Sequence, residues 1–533
     1  MALYLGFDAS TQSLTATVID AGSGTGRVVF EDSIGFDREL PRYGTRHGVL
    51  TRDERTVVAP PLMWAEALDL MMARLRGAGV DLAAVRAISG SGQQHGSVYL
   101  SADAAGILAH LDPSQPLAAQ LPRAFARDVS PVWLDCSTSA ECAAIAGAVG
   151  GDAALARLTG SRACERFTAA QIRKFAQSDP ASYGRTARVH LVSSFMASLL
   201  IGADAPLEPG DASGMNLMDI AACDWSRACA DATARDLLRR LSPIGPSSAI
   251  AGTLSPYWQR RFGFGSARVA AWTGDNPSSL VGLGLIEEGQ LGISLGTSDT
   301  VFAPTADPSP DPGGAGHVFG SPAGGYMALT CFANGSLARE RVRDLYGLDW
   351  DGFSSTLAAT PPGNDGALMV PWFVPEITPT VEAPGPHRLR LDPSDAPRNV
   401  RAVVEGQALA MRLHSRWFAP NVRAIRVTGG AAANSQVLQV IADVFDAEVV
   451  RIAPPNAASL GAALRAFHAD RLAGGDPLPW HDVVAGFTAP IAGAGAKPRR
   501  EAVEIYGRLI SEYKRLEEQF GGTGVSCGGT GVS

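Results

Sequence analysis

The sequence predicts an α/β protein made of two similar domains that face each other. Three observations support this: two strand–turn–strand units and one amphipathic helix between strands of the first half. In the first unit, apolar residues 3–7 and the alternating run 14–20 flank the polar segment FDASTQS. A comparable unit surrounds SLGTSDT at 294–300. Because each unit opens one half of the chain, we expect two related sheets.

The first half continues with alternating strands and a helix. Residues 28–36 predict a third strand, and residues 85–89 predict a strand that leads into the glycine-rich loop SGSGQQHG. Between them, apolar side chains recur with helical spacing at positions 64, 67, 68, 71, 72 and 75. This spacing is typical of an amphipathic helix with one buried face.

The second half repeats this alternation. Helices are predicted at 400–417, 435–445 and 459–468, and strands at 424–428 and 449–452. A terminal helix over 501–519 carries apolar residues on one face, namely Val503, Tyr506, Ile510, Tyr513 and Leu516. One option is that this helix packs back against the first domain.

Composition shifts divide the chain. A stretch rich in proline, glycine and serine at 243–256 favours a first domain over 1–260 and a second over 261–520, although a hinge anywhere from 245 to 275 fits. The segment 521–533 repeats one hexapeptide around Cys527, which indicates a disordered tail or a cloning scar.

Charge and cysteine usage restrict the partners. The net charge of the 533 residues is −8 and no basic run is present, which argues against a nucleic-acid-binding surface or a polybasic membrane patch. No apolar run approaches the roughly 18 residues that a membrane span needs. The seven cysteines are scattered and contain no CxxC pair. We therefore expect a cytoplasmic protein without nucleic-acid or membrane partners.

The scarcity of lysine excludes two common nucleotide-binding designs. The only lysines are Lys174, Lys497 and Lys514, and none is followed by Ser or Thr as a P-loop requires. None lies in the strand motif of protein kinases either. A protein of this composition that handles ATP must bind phosphates with backbone amides, hydroxyls and a metal.

Both polar turns contain groups that can bind phosphate without lysine. In FDASTQS, Asp8 ends a strand and Ser10, Thr11 and Ser13 follow, so the turn can direct N–H groups and hydroxyls at a phosphate while Asp8 holds hydrated Mg²⁺. A hairpin turn capped by its own hydrogen bonds has the same pattern. The turn LGTSDT repeats the chemistry, with Gly296 permitting close approach. Phosphates held between two domains need one turn from each, so the second copy favours a phosphate site.

Two further segments could bind nucleotide and substrate. In VTGGAAANS, Gly429 and Gly430 let a flat adenine or ribose lie against backbone, and Asn434 can cap the next helix or bond the base; a plain strand-to-helix turn is the alternative. In WTGDNPSSL, Asp275 opens a helix, where aspartate is usually an N-cap. The position also suits a general base that takes a proton from a substrate hydroxyl while Asn276 orients that substrate.

These motifs together resemble one family. FDASTQS, QQHG, TGDN, SLGTS and TGGAAAN follow the order and approximate spacing of the FGGY family of carbohydrate kinases over about residues 2–520. The family belongs to the actin and hexokinase-like superfamily. The resemblance therefore implies two ribonuclease H-like α/β domains that face each other across a cleft. Within the family, GQQHGSVY, SRACERFT and CFANGSLARE resemble the members that act on D-xylulose.

The resemblance implies ATP-dependent phosphorylation of D-xylulose to D-xylulose 5-phosphate, with Mg²⁺. It implies that Asp275 is the catalytic base and that the substrate-binding residues are His95, Arg166, Asp275 and Asn276. It implies that Asp8 holds the metal and that the nucleotide-binding residues are Thr11, Gln12, Ser13, Gly296, Thr297, Trp350, Gly429, Gly430 and Asn434. Arg166 could instead be an ion-pair partner, and Trp350 could be a packing residue. We assign the other eight histidines to the surface or to packing.

Several alternatives remain open. Where many family members have arginine, none follows Glu376 and none lies two positions after Asp135, and both departures concern sugar fit or structure. The substrate could be another sugar or polyol, such as ribulose, gluconate or glycerol. Two other classes are an actin-like switch ATPase and a sugar-binding regulator without activity. A homodimer is also open, although nothing in the sequence marks an interface.

Overall fold

The computed structural model describes residues 2–22, 26–452 and 456–521 and contains two seven-stranded mixed sheets. The repeat at 522–533, which we predicted to be a tail or scar, lies outside these ranges. Among the described residues, no helix combines the length and the apolar character that crossing a membrane would require.

The first sheet is built around the strand Leu3–Ala9. This strand pairs antiparallel with the strand Ser13–Asp20 and parallel with the strand Val85–Gly92. From edge to edge the sheet runs Ile250–Thr253, Arg268–Ala270, Val85–Gly92, Leu3–Ala9, Ser13–Asp20 and Arg27–Gly35, and Thr273–Gly274 also pairs with Val85–Gly92. The first sheet therefore continues to residue 274, past the boundary at 260 but within the predicted hinge range 245–275.

The second sheet repeats this topology. Its central strand Gln290–Leu295 pairs antiparallel with Asp299–Thr305 and parallel with Ala424–Thr428. From edge to edge it runs His317–Gly320, Tyr326–Phe332, Asp299–Thr305, Gln290–Leu295, Ala424–Thr428, Glu448–Ile452 and Pro490–Ala496. Each sheet thus places a hairpin on one side of the central strand and parallel strands on the other, which confirms the prediction of two related α/β domains.

Helices cover both sheets. In the first half they are Phe36–Glu39, Pro61–Gly77, Ala104–Ala109, Leu117–Gln120, Ser139–Ala148, Asp152–Thr159, Thr168–Ser178, Pro180–Arg185, Val192–Ile201, Pro209–Ala212, Arg227–Thr233 and Pro256–Phe262. Later come Asp275–Gly282, Ser336–Leu345, Trp350–Ala359, Ala396–Ser415, Ser435–Phe445, Ala457–Ala473, Trp480–Ala485 and Arg500–Phe520. Short strands form small sheets outside the two large ones; they are Leu50–Thr51, Val57–Ala59, Ser97–Ser101, Ser130–Pro131, Thr186–Leu191, Met218–Asp219, Asp224–Trp225, Leu368–Val370 and His387–Leu389.

Two helices join the domains by crossing at glycine. A Cβ atom on Gly282 would lie 1.8 Å from the carbonyl oxygen of Ala457, and one on Gly461 would lie 1.9 Å from that of Ser278. The helices Asp275–Gly282 and Ala457–Ala473 can therefore approach at this point only without side chains. The second of these helices also packs on the first sheet, where Arg465 donates to the carbonyl oxygen of Ala271 at 2.7 Å.

The terminal helix Arg500–Phe520 buries most of the predicted face, with Ala502 buried and Val503 only half-buried. It packs against the helices Ala396–Ser415 and Ser435–Phe445 of the second domain. Tyr506 donates to Glu405 Oε1 at 2.6 Å within that core. The option of packing against the first domain is therefore wrong: amphipathicity indicates that a face is buried but not which element covers it.

Candidate active site

Asp8 is the second-last residue of the first central strand, Leu3–Ala9. Its Oδ1 accepts a hydrogen bond of 2.7 Å from the hydroxyl of Ser91 on the neighbouring parallel strand. Burial, together with the negative charge of Asp275, raises the pKa of Asp8 to about 7. This carboxylate therefore lies where a nearby positive charge would favour its ionised form.

The turn after Asp8 is a tight hairpin with accessible polar groups. The amide and the hydroxyl of Ser10 both donate to the carbonyl oxygen of Ser13 at 3.0 Å, so local hydrogen bonds do cap the turn. Gln12 at the tip is exposed, and Thr11 accepts a 2.8 Å hydrogen bond from the indole of Trp133. The hydrogen bonds of a capped hairpin thus stabilise the turn, while the polar groups at its tip stay accessible.

The second turn has the same form in the other domain. Thr297 and Ser298 are exposed between two buried strands, and Gly296 accepts a hydrogen bond from the amide of Ser336 at 2.9 Å. A Cβ atom on Gly335 would lie 2.7 Å from the carbonyl oxygen of Thr297. The start of the helix Ser336–Leu345 therefore supports this turn from behind.

A buried ion pair fixes the base of the second turn. Both guanidinium nitrogens Nη1 and Nη2 of Arg339 donate to the carboxylate of Asp299, at 2.9 and 3.1 Å. Arg339 also donates to Gln407 Oε1 at 2.8 Å, and the Gln407 amide donates to the carbonyl oxygens of Asn334 and Gly335. Sequence reasoning did not assign a role to Arg339, because its partners Asp299 and Gln407 lie 40 and 68 residues away along the chain.

Asp275 opens the helix Asp275–Gly282 but makes no side-chain cap. Its Oδ1 instead accepts hydrogen bonds from the Asn276 backbone and side-chain amides at 2.9 and 3.1 Å. The same Asn276 side chain donates to Gln94 Oε1 at 2.9 Å. Burial raises the pKa of Asp275 to about 6, so the carboxylate is ionised at neutral pH and basic enough to accept a proton.

The donor set fits Mg²⁺ bound together with a phosphate ligand. Within the described ranges, no group of three or more His, Cys, Asp or Glu residues could hold a metal by itself. Mg²⁺ is usually held by one or two carboxylates, with waters and substrate phosphates completing its octahedron. Asp8 near Asp275 supplies hard oxygen ligands of this kind, and a cation there would offset the burial and the repulsion from Asp275 that together raise the pKa of Asp8.

His95 has an uncommon backbone conformation, with φ at +71°. Its Nδ1 lies 2.7 Å from the carbonyl oxygen of Gly214, which can only accept, so Nδ1 carries the proton. The ring stacks on Phe167 with centroids 4.2 Å apart. Burial and the nearby charge of Arg166 lower the pKa of His95 to about 3. His95 is thus neutral, with Nε2 as a hydrogen-bond acceptor.

Arg166 lies close to His95 and contacts a second histidine. Its Nη2 is 3.1 Å from Nε2 of His317, a residue of the second sheet. Our assignment of this histidine to the surface or to packing agrees with its burial, but its contact with Arg166 was not predicted. No motif surrounds this residue in the sequence, and its contact with Arg166 spans 151 positions.

The two glycines of the third motif differ in their surroundings. Gly429 has φ at +91°, and a Cβ atom there would lie 2.2 Å from the carbonyl oxygen of Leu295, so the fold itself requires glycine. Around a Cβ atom on Gly430 nothing lies within 4 Å. Open backbone at Gly430 therefore leaves room for a flat group.

Asn434 caps the helix Ser435–Phe445, as one of our two interpretations predicted. Its Oδ1 accepts from the amides of Gln436 and Val437 at 2.9 and 3.3 Å, and Ser354 donates to the same oxygen at 3.3 Å. Trp350 lies one helical turn before Ser354 and is 44% exposed. The side-chain amide of Asn434 and the indole of Trp350 therefore border the same part of the second domain.

The two residues at the family departures make structural contacts. Asp135 accepts from the amides of Val57 and Ser137 at 3.0 Å each and from Gln171 at 2.8 Å. Glu376 accepts from Asn334 Nδ2 at 2.9 Å and from neighbouring backbone amides. Both carboxylates thus serve as anchors for backbone segments.

Comparison with known proteins identifies the class. Residues 130–282 match the N-terminal domain of the FGGY family of carbohydrate kinases, and residues 291–469 match its C-terminal domain. The chain is 43% identical over 530 residues to a xylulose kinase of Mus musculus, covering 97% of this chain and 94% of the relative. It is 44% identical to xylulose kinase 2 of Arabidopsis thaliana, with 87% of each chain covered. The protein therefore belongs to the FGGY family and is an ATP-dependent carbohydrate kinase.

Solved structures confirm the fold. A xylulose kinase from Rhodospirillum rubrum superposes with a TM-score of 0.81 at 20% identity, covering 97% of this chain and 98% of that one. A gluconate kinase from Lactobacillus acidophilus superposes with a TM-score of 0.80 at 18% identity, again covering 97% and 98%. The predicted two-domain α/β architecture is therefore confirmed as a fold shared with carbohydrate kinases.

Proposed function

We propose that the protein transfers the terminal phosphoryl group of ATP to D-xylulose and releases D-xylulose 5-phosphate. The observation that carries the proposal is the position of Asp275. It lies near enough to Asp8 for its charge to add to burial in raising the pKa of that carboxyl, while Asn276 links Asp275 to Gln94 beside His95. The candidate base thus lies between the first polar turn, FDASTQS, and the glycine-rich loop SGSGQQHG, which carries His95. The identity to xylulose kinases over most of the chain supports the choice of sugar.

In the proposed reaction Asp275 accepts the proton of the attacking hydroxyl as the new phosphate ester forms. Such general-base assistance contributes about 10²–10⁴-fold in rate. Neutral His95 accepts a hydrogen bond from a second hydroxyl through Nε2, and Arg166 donates to a sugar oxygen. The first domain therefore binds the sugar and the second most of the nucleotide.

The phosphates lie between the two turns in this proposal. Thr11, Gln12 and Ser13 donate from the first turn, and Gly296 and Thr297 from the second. Asp8 would hold Mg²⁺, which neutralises phosphate charge when bound. Gly429, Gly430, Asn434 and Trp350 line the nucleoside pocket.

We also propose a cytoplasmic location. The described cysteines, which are Cys136, Cys142, Cys164, Cys223, Cys229 and Cys331, all have free thiols. Free thiols without structural disulfides are typical of a reducing compartment. Sedimentation velocity of the purified protein would decide between a monomer and the homodimer that the sequence left open.

A sugar panel tests the proposed function. ADP release is measured with D-xylulose, D-ribulose, gluconate, glycerol and no sugar, and the product is identified by phosphorus NMR. We expect the highest kcat/KM with D-xylulose and little ADP release without sugar. A higher kcat/KM with another substrate would refute the proposed sugar. Equal ADP release with and without sugar would instead indicate the switch ATPase, and sugar binding without any product would indicate the inactive regulator.

A further inference from the structure

The edge strand His317–Gly320 of the second sheet lies against the first domain. Its Val318 amide donates to the carbonyl oxygen of Gly160 at 3.0 Å, and its Gly320 amide donates to the hydroxyl of Ser213 at 3.1 Å. We call this contact the seam. It joins the domains on the side that carries His95 and Arg166, separately from the crossing helices.

The seam is shaped for close backbone approach. Gly160 has φ at +84°, and a Cβ atom there would lie 2.4 Å from the carbonyl oxygen of Val318. A Cβ atom on Gly320 would lie 2.8 Å from the backbone of Pro209. Real Cβ atoms do not approach backbone atoms this closely, so glycine at both positions permits the two segments to meet.

His317 enters the first domain through this seam. Its side chain is 8% exposed, and both ring nitrogens contact first-domain residues. Nε2 lies 3.1 Å from Arg166 Nη2, and Nδ1 lies 3.1 Å from the Ser161 hydroxyl. A guanidinium can only donate, so Nε2 is the acceptor and the proton of the neutral ring lies on Nδ1, directed at Ser161. Burial and the charge of Arg166 hold the pKa of His317 well below its usual value, which keeps this tautomer neutral.

The ring of His317 also belongs to a row of three rings that ends at His95. The His317 ring centroid lies 5.3 Å from that of Phe167, which stacks on His95 at 4.2 Å. Phe167 follows Arg166 directly in the chain. Both histidines are therefore packed against the segment that carries the arginine.

We propose that His317 is a positioning residue for the sugar, which holds the guanidinium of Arg166 in place from across the seam. The inference rests on the proposed role of Arg166 in sugar binding. Arginine loses much side-chain freedom when it binds a ligand, and a partner that fixes it beforehand reduces that cost. The sugar site is then complete only when the edge strand of the second domain lies against the first domain.

Two substitutions separate the acceptor from the ring. His317→Phe keeps an aromatic ring but has no acceptor for Arg166, whereas His317→Gln supplies an acceptor and a donor without the ring. We expect His317→Phe to raise the sugar KM by about tenfold, as for a lost hydrogen bond to a charged group, with the ATP KM unchanged. His317→Gln should recover most of this loss. A sugar KM equal to wild type in His317→Phe would overturn the inference.

Controls distinguish positioning from general destabilisation. His414→Phe removes a partly buried histidine that contacts Glu517 in the second domain, and it should leave the sugar KM unchanged. Ser161→Ala removes only the Nδ1 partner and should raise the sugar KM less than His317→Phe does. If His317→Phe is insoluble, His317→Leu, which also lacks an acceptor, replaces it beside Ser161→Ala, and an unchanged sugar KM in both would overturn the proposal.

A double-mutant cycle tests whether His317 acts through Arg166. Arg166→Lys removes the guanidinium that His317 holds. Adding His317→Phe to this variant should therefore raise its sugar KM by less than a further twofold. Additive effects would overturn the inference. The cycle uses D-xylulose or, if wild type prefers another panel sugar, that sugar. A failed substrate proposal is then distinguishable from a failed role for His317.

Discussion

The carboxylate of Asp275 combines two requirements that normally conflict. A base must be ionised at working pH, yet burial disfavours its charge and raises its pKa to about 6. The amides of Asn276 offset part of the burial by donating to Oδ1. The residue is therefore a stronger base than an exposed aspartate and is still ionised at neutral pH.

Asp275→Asn tests the base directly. We expect kcat to fall about 10²–10⁴-fold because the amide cannot accept the proton. The melting temperature should be equal or higher, because a buried charge is removed while Oδ1 stays an acceptor. Sugar-dependent ADP formation and thermal unfolding are measured side by side. Asp482→Asn, at a half-exposed aspartate, is the matched control, and wild-type turnover in Asp275→Asn would refute the assignment.

The pH dependence of kcat follows from the raised pKa of Asp275. Only the ionised form is a base, so kcat should be level above a pKa of about 6 and fall about tenfold per pH unit below it. Initial rates at saturating sugar and MgATP between pH 5 and 8 measure this fall of kcat at acidic pH. A kcat that stays constant down to pH 5 would contradict a base with this pKa.

Asn434 offers two separable roles on one side chain. Asn434→Asp keeps the oxygen that caps the helix Ser435–Phe445 but loses the amide donor. We expect it to raise the ATP KM by about three- to tenfold, as for one lost hydrogen bond, with little change in melting temperature. Asn434→Ala also loses the cap and should cost about 1 kcal/mol of stability. An ATP KM unchanged in Asn434→Asp would make Asn434 a helix cap only.

At the scale of elements, two crossing helices hold the domains together. Gly282 and Gly461 bring the backbones of Asp275–Gly282 and Ala457–Ala473 into direct contact. The first of these helices carries Asp275 at its start, and the second packs on the first sheet. Any change of distance at the crossing therefore also moves the candidate base.

Gly461→Ala tests the crossing. The new methyl would meet the carbonyl oxygen of Ser278, and such overpacking typically costs about 1–3 kcal/mol. We expect a lower melting temperature together with a lower kcat. Gly507→Ala is the control, since its Cβ meets nothing within 4 Å on the terminal helix and alanine favours helix. If Gly461→Ala melts no lower than Gly507→Ala, the crossing is not tightly packed.

At the scale of the whole molecule, the described residues of the two domains contact each other at the crossing helices and at the seam. The crossing buries a packed core shared by both halves, including Tyr4 and Leu460. The seam combines backbone hydrogen bonds, such as that from Val318 to Gly160, with a buried cluster that includes Phe167 and Phe319. The helix Ala457–Ala473 packs along several strands of the first sheet, whereas the seam involves a single edge strand of the second. Because separation at the seam disrupts fewer contacts, we expect the cleft to open there.

Hydrogen exchange of the Val318 amide measures this opening. Ligands that contact both domains should favour the closed state and slow exchange at Val318. We expect the slowest exchange with D-xylulose and a non-hydrolysable ATP analogue together. Amides of the first central strand, such as that of Leu5, serve as controls whose protection should not change. Equal exchange at Val318 with and without both ligands would refute opening at the seam.

The sequence by itself determined the local features of this protein. Strand–turn–strand units, the buried face of the helix Pro61–Gly77 and the positions of the polar turns depend on neighbouring residues, and their periodicity and turn chemistry are visible along the chain. Only the tertiary structure decided which distant elements meet. His317 had no local signal because its partner Arg166 lies 151 positions away on the other domain. The terminal helix likewise found its partners through packing complementarity, which a one-dimensional pattern does not encode.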